Sequence, residues 1–247
     1  MKCYASLAFV VVALLSVAPA SAQIPSGPVT TPPTIDGAVG ATEWAGAGTL
    51  ALPHGTAYFL NDQTYLYVLL DVTADTTLDP LVPGVYNDDN FGIAFDANGN
   101  GSGDIDIDVN YGAFDNPPAF PRISYFADPA FCGWTGGGAT SSLGAEGFGM
   151  SPAAPATNHV IWEFALLLSE ISPPSTGRIG TAVWLLSVNP SFNDLTPAAD
   201  LCDWANYADL QLNGFDTAVP VAGAVGLAIL VALVAIVGVF VARSRLG

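Results

Sequence analysis

The sequence predicts an all-β fold: an antiparallel, two-sheet β-sandwich of the jelly-roll or immunoglobulin-like kind, with a signal peptide before it and one transmembrane helix after it. Three observations predict this. Short runs rich in Val, Ile, Leu, Tyr and Phe are separated by Gly, Pro, Asn and Asp clusters. No stretch before residue 218 has the period of a long amphipathic helix, so βαβ alternation is excluded. The two long uninterrupted apolar runs sit at the ends of the 247-residue chain.

The elements follow in order. Residues 1–22 read as a secretory signal: Lys2, an apolar core over Leu7–Val17, then Ala20-Ser21-Ala22 as the cleavage site. The mature chain then starts at Gln23, and no cysteine stands where a lipid anchor needs one. Residues 23–33, rich in Pro, Ser, Thr and Gly, read as a linker or an edge segment. Residues 34–213 carry the sandwich, with strands expected at 56–60, 65–73, 91–95, 105–109, 122–126, 160–166, 181–188 and 208–212. A short helical turn is expected over Leu166–Ile171, ahead of Pro173-Pro174, and a long loop over the Gly/Ser/Ala-rich stretch 133–147. Residues 218–242 are apolar and uncharged, enough at 1.5 Å per residue to cross a hydrocarbon core of about 30 Å. Arg243 and Arg245 follow in the tail 243–247, which places the C-terminus in the cytoplasm and the sandwich outside.

Between the two apolar ends lie all 22 acidic residues, two arginines (Arg122 and Arg178) and no lysine, a formal charge of −20. Such a surface repels nucleic acid and anionic lipid, favours divalent cations, and equally serves to keep the domain soluble. Two cysteines remain in the mature chain, Cys132 and Cys202. They form either one disulfide, closing a loop of about 70 residues worth about 4 kcal/mol, or two buried thiols.

The sequence Thr34-Ile35-Asp36-Gly37, followed by Glu43-Trp44, resembles the opening signature of family 9 carbohydrate-binding modules and their DOMON-like relatives. Further segments resemble that family in order: Tyr58–Val72 with its Leu66-Tyr67-Val68, Asn87–Asp96, Trp162–Ala165, Arg178–Asn189 and Trp204–Leu212. The resemblance covers residues 34–212 and implies the sandwich fold and a glycan or polysaccharide ligand. Many relatives of this fold have no assigned ligand, so a structural cell-surface or matrix protein without a sugar ligand is the second expectation. At the C-terminus, Val219-Pro220, Gly223, Gly226, the apolar span and the terminal arginines resemble the three-part tails processed by exosortase-type systems. That resemblance implies removal of the span by a sorting protease; a plain single-pass anchor is the alternative.

The sharpest local pattern is Asp96-Ala-Asn98-Gly-Asn100-Gly101-Ser102-Gly-Asp104, which fits the first half of a calcium loop. Calcium takes six to eight oxygen ligands, and side chains at alternate positions of a tight loop converge on one point. Position twelve of a helix-loop-helix site needs a bidentate Glu, and Ile107 stands there. The expectation is therefore a loop between strands that borrows a last ligand from Asp88 or Asp89, and structural calcium as the cofactor. An Asn/Gly hairpin turn without metal is the alternative. Asp104, Asp106 and Asp108 alternate with Ile105, Ile107 and Val109, which puts three carboxylates on one strand face.

Sugar recognition needs a flat aromatic ring beside hydrogen-bonding groups. Trp134, Tyr111 and Phe114 lie in or near Gly-rich segments and are the candidate platforms, with Phe131 close by. Trp44, Trp162, Trp184 and Trp204 sit in strand-like contexts and are expected in the core. The two histidines, His54 and His159, and the absence of lysine outside the signal single out no catalytic pair, so a non-catalytic binding module is expected. Relatives with this sandwich also bind haem. Met150 and the two histidines would be its axial ligands, which leaves an electron carrier as the third expectation.

Overall fold

The computed structural model describes residues 23–78, 89–97, 105–110, 124–126, 137–139, 142–197 and 204–215. They form two sheets packed face to face. The larger sheet runs in the order β1 (Gln23–Pro25), β14 (Ala208–Gln211), β12 (Arg178–Ser187), β6 (Asn90–Asp96), β7 (Ile105–Asn110), β8 (Ser124–Phe126), β9 (Gly137–Ala139), with β13 (Phe192–Thr196) paired to β12. The smaller runs β10 (Leu143–Gly149), β11 (His159–Leu167), β5 (Tyr65–Val72), β4 (Gly55–Asn61), β2 (Gly27–Pro28), with β3 (Gly48–Leu52) paired to β4. A single helical turn, α1 (Leu168–Ile171), follows β11 as the sequence predicts.

Side-chain alternation builds the core. Leu66, Val68, Leu70 and Val72 of β5 and Val160, Trp162, Phe164 and Leu166 of β11 face inward. Across the gap they meet Phe91, Ile93 and Phe95 of β6 and Ile179, Val183 and Leu185 of β12. The Phe91 ring lies 5.0 Å from that of Phe164 and 5.9 Å from Trp162, joining the sheets at their centre. Each such side chain contributes about 1.5–3 kcal/mol by leaving water.

The outward positions of β5 and β11 are also buried: Tyr67, Leu69, Asp71 on one strand, His159, Ile161, Glu163, Ala165 on the other. Antiparallel strands with one solvated face alternate apolar and polar. Here a third layer covers that face. It is made by residues 29–47, whose Val29, Ile35, Val39, Trp44 and Ala47 pack on Leu60, Tyr67, Leu69 and Ile161.

The structure corrects several expectations. Residues 23–33, read as a linker or an edge segment, are the edge segment. Gln23–Pro25 pairs in parallel with β14, Gly27–Pro28 pairs in parallel with β4, and the segment edges both sheets, so the sandwich is not wholly antiparallel. The stretch 133–147 holds β9 and most of β10 rather than one long loop. Small residues leave β10 little apolar signal, and register against β11 makes it a strand. Strands β3 and β13 were also not expected. No helix among the described residues is long and apolar enough to cross a membrane. The signal at 1–22, the span at 218–242, the tail at 243–247, and Cys132 and Cys202 lie outside the described residues.

Candidate functional site

Two buried carboxylates organise the outer face of the small sheet. Glu163, the one carboxylate of β11, is fully buried. It accepts the indole N–H of Trp44 at 3.1 Å and the backbone N–H groups of Asp36 and Gly37 at 3.1 and 2.9 Å. Burial pushes its pKa up to about 7 despite these three donors. Glu43 in turn accepts the N–H groups of Thr34 and Gly40, which folds residues 34–43 into a compact loop. Gly37 adopts φ +79°, and a Cβ there would stand 2.2 Å from the Glu146 carbonyl oxygen of β10. The Ile35-Asp36-Gly37 and Glu43-Trp44 pairs are thus the two halves of one clamp closed on Glu163.

Asp71 of β5 makes the second clamp. One carboxylate oxygen bonds Nε2 of His159, and the other accepts the Ser151 hydroxyl at 2.8 Å. The other His159 nitrogen, Nδ1, lies 2.9 Å from the Thr157 carbonyl oxygen. Burial lowers the His159 pKa, but its bonds to Asp71 and Thr157 outweigh this and raise it above the ordinary value. Ser, His and Asp meet here without forming a nucleophile. The serine bonds the aspartate rather than the histidine, and both ring nitrogens are committed. The trio pins segment 151–159 over the sheet.

The seam between the two clamped segments is a pocket of about 190 Å³, with Val39 and Trp44 on one side, Pro152 on the other, and Tyr58, Leu69 and Asp71 at its base. Burial, then the nearby Asp71 charge, raises the Tyr58 pKa, so its phenol keeps its proton. A wider open cleft, about 800 Å³, runs along Pro28–Pro32, Thr34 and Leu60. Its carboxylates already serve the loop: Asp36 accepts the Ala38 N–H, and Glu43 holds Thr34 and Gly40.

The outer face of the large sheet is different. Gly92 and Ala94 of β6 and Gly180 and Ala182 of β12 are small, and Trp184 and Tyr207 lie over them. A Cβ on Gly92 would fall 1.6 Å from the Trp184 ring, so the indole is seated directly on that backbone. Trp184 is 9% exposed and Tyr207 4%. Trp44 and Trp162 are buried as the sequence predicts, Trp162 between the sheets and Trp44 in the outer clamp. Trp184 is buried too, but outside the sandwich core.

Of the residues singled out in the sequence for metal, Asp96 and Asp89 are described, and they do not converge. Asp89 precedes β6 and Asp96 ends it, seven residues on, or about 23 Å at about 3.3 Å per residue. Asp89 therefore stands at the far end of β6 from Asp96, while residues 98–104 of the expected loop lie outside the described residues. Asp89 is buried beside Asp75 and Ser187, and accepts the Val188 N–H at 2.9 Å. Burial raises the Asp75 pKa. Among the described residues no group of three or more His, Cys, Asp or Glu side chains is placed to hold a metal. Asn98, Asn100, Ser102, Asp104 and Asp88 lie outside the described residues, as do the aromatic candidates Trp134, Tyr111 and Phe114. Met150 is 56% exposed, and His54 bonds Asp194 at 2.7 Å while stacking on Phe192.

Sequence reasoning passed over Asp71, Ser151 and Tyr58, and weighed His159 only as a catalytic base or haem ligand. The available signal was a lone carboxylate inside an apolar strand, since Asp71 in YLYVLLDV and Glu163 in HVIWEFALL each need buried donors.

No protein-family model and no curated protein matches the chain. Solved structures do. A carbohydrate binding module family 9 from Caldicellulosiruptor kristjanssonii in complex with glucose superposes with a TM-score of 0.51 at 17% identity, over 81% of this chain and 100% of that one. A module of the same family and organism in complex with cellotriose gives 0.49 at 17% identity, over 79% and 95%. The chain thus has the β-sandwich fold of family 9 carbohydrate-binding modules.

Proposed function

We propose that the chain is a non-catalytic, surface-anchored extracellular module that binds a carbohydrate on the outer face of its large sheet. The arrangement of Trp184 and Tyr207 over Gly92, Ala94, Gly180 and Ala182 carries this reading. Trp184, 9% exposed on a floor of small residues, offers the uncovered part of its ring to the C–H face of a pyranose, and Tyr207, 4% exposed, packs beside it. The sandwich fold, shared with a module in complex with glucose, supports it. The signal at 1–22 exports the domain, and the span at 218–242 holds it at the membrane until any sorting protease acts. Calcium bound by Asp96, Asn98, Asn100, Ser102 and Asp104, with a last ligand borrowed from Asp88 or Asp89, stiffens the loop after β6.

The test is titration of the full chain in detergent with glucose and cello-oligosaccharides, with and without chelator, beside Trp184→Ala. Saturable binding that Trp184→Ala weakens at least tenfold supports the reading. Ligands that bind neither protein leave a structural protein of the same fold. An unchanged melting temperature in chelator removes the calcium.

A further inference from the structure

The pocket on the opposite face of the sandwich belongs to neither the core nor the large-sheet surface. From its shape and chemistry we infer that the seam between Trp44, Tyr58, Asp71 and Pro152 is a second site, one that takes a single neutral pyranose ring.

The pocket is built rather than incidental. Each of its two walls is fastened from below by a buried carboxylate: Glu163 holds the loop bearing Val39 and Trp44, and Asp71 holds the segment bearing Pro152 through Ser151 and His159. A packing defect needs no such pair of fastenings. At about 190 Å³ it is below the range of about 300–1,000 Å³ usual for larger organic ligands, which limits it to one ring.

The lining selects the ligand. An ionised carboxylate accepts about four hydrogen bonds. His159 and Ser151 supply one to each oxygen of Asp71, and the carboxylate, 2% exposed, meets the pocket with the edge that remains. One hydroxyl of a sugar donates to it there. Tyr58 and Trp44 supply the apolar aromatic walls for the ring's C–H face, and the protonated Tyr58 phenol adds a donor. An anion is repelled by Asp71 and by a domain of charge −20. Among the described residues a divalent metal finds one carboxylate there, Asp71. An organic cation gains little, because His159 already sits against Asp71 as its charge partner.

The site shares only its ligand class with the proposed function, and the experiment separates the two. Full-length protein in detergent is titrated with methyl β-glucopyranoside and, separately, with tetramethylammonium. Signals of the Tyr58 ring and Trp44 indole are followed by NMR in wild type, Trp184→Ala and Ala153→Trp. Ala153 is exposed at the pocket rim, so the bulky side chain fills the seam without entering the core. The expected result is saturable glucoside shifts at Tyr58 and Trp44 in wild type and Trp184→Ala, weakened at least tenfold in Ala153→Trp, with no response to tetramethylammonium. Absence of glucoside shifts at both residues overturns the inference, as does unchanged affinity in Ala153→Trp. A response to tetramethylammonium alone overturns it in favour of a cation site. Loss of large-sheet binding with these shifts intact defeats the proposed function and leaves the pocket standing.

Discussion

Trp44 donates its indole N–H to Glu163 at 3.1 Å, across 119 positions of sequence, and thereby ties the N-terminal covering layer to β11 of the small sheet. The same carboxylate receives the Asp36 and Gly37 N–H groups on its other oxygen. Removing an acceptor that serves three donors, two of them buried, costs more than removing one donor. Glu163→Ala is expected to lose at least about 3 kcal/mol, and Trp44→Phe about 1–2 kcal/mol. In Glu163→Gln the amide oxygen keeps the two backbone donors and turns its NH₂ toward the indole N–H, donor against donor. Trp44→Phe should therefore cost less in the Glu163→Gln background than in wild type. Urea unfolding of the four proteins measures this coupling, and strictly additive losses would refute the clamp.

The clamps also set a pH dependence. Glu163 moves from its ordinary 4.5 to about 7 on folding, so the folded state holds a proton that the unfolded chain releases. Its stabilising contribution, about 3 kcal/mol, is complete below pH 4.5 and is lost as pH rises through 7. The raised His159 acts in the same direction, its contribution present below pH 6.5 and lost through its higher folded value. Stability should fall from mildly acid to mildly alkaline pH. Melting temperatures in steps from pH 4.5 to 8.5 check this. Glu163→Gln should flatten the part below pH 7, and an identical slope in that variant would sink the assignment.

Gly37 tests the seat of the loop. With φ at +79° and the Glu146 carbonyl 2.2 Å from where a Cβ would lie, alanine meets both backbone strain and a clash with a neighbouring strand. Gly37→Ala is expected to lose at least about 2 kcal/mol and to raise hydrogen exchange at residues 34–47 above that of β5. Gly46 has a similar φ of +81° but open space around it. Gly46→Ala should cost about 1 kcal/mol, from strain alone.

Much of the fold was legible in the sequence. The runs at 65–73 and 160–166 gave β5 and β11 because their residues are apolar and β-branched or aromatic, and Pro173-Pro174 marked the end of α1. Strand β10 was not legible, since LGAEGFG carries its burial through pairing with β11 rather than through its own side chains. Nor was the site. The signature at 35–37 and 43–44 was visible as a resemblance, but its meaning depends on Glu163, which only the fold brings near. Asp88 or Asp89 was expected to lend a last ligand to the loop that begins at Asp96, across one apolar run. That run is an extended strand, and extension is what separates Asp89 from Asp96.

On the large sheet, Gly92 and Trp184 are cross-strand partners, and the missing side chain on one is the seat of the other. Gly92→Ala places a methyl 1.6 Å from the indole, so the ring must leave the sheet rather than shift along it. The variant should lose about 1–3 kcal/mol as an overpacked site. If the Trp184 platform holds the carbohydrate, glucose affinity should drop at least tenfold in the same protein. The two effects separate in the double variant Gly92→Ala/Trp184→Phe. A smaller ring recovers space beside the new methyl, so stability should return toward that of Trp184→Phe. Affinity should stay low, because the platform has shrunk and moved. Calorimetric titration with glucose alongside thermal melts of the four proteins reads both. Recovery of affinity together with stability would mean that packing alone had been measured, and the platform would then have to lie elsewhere on this face.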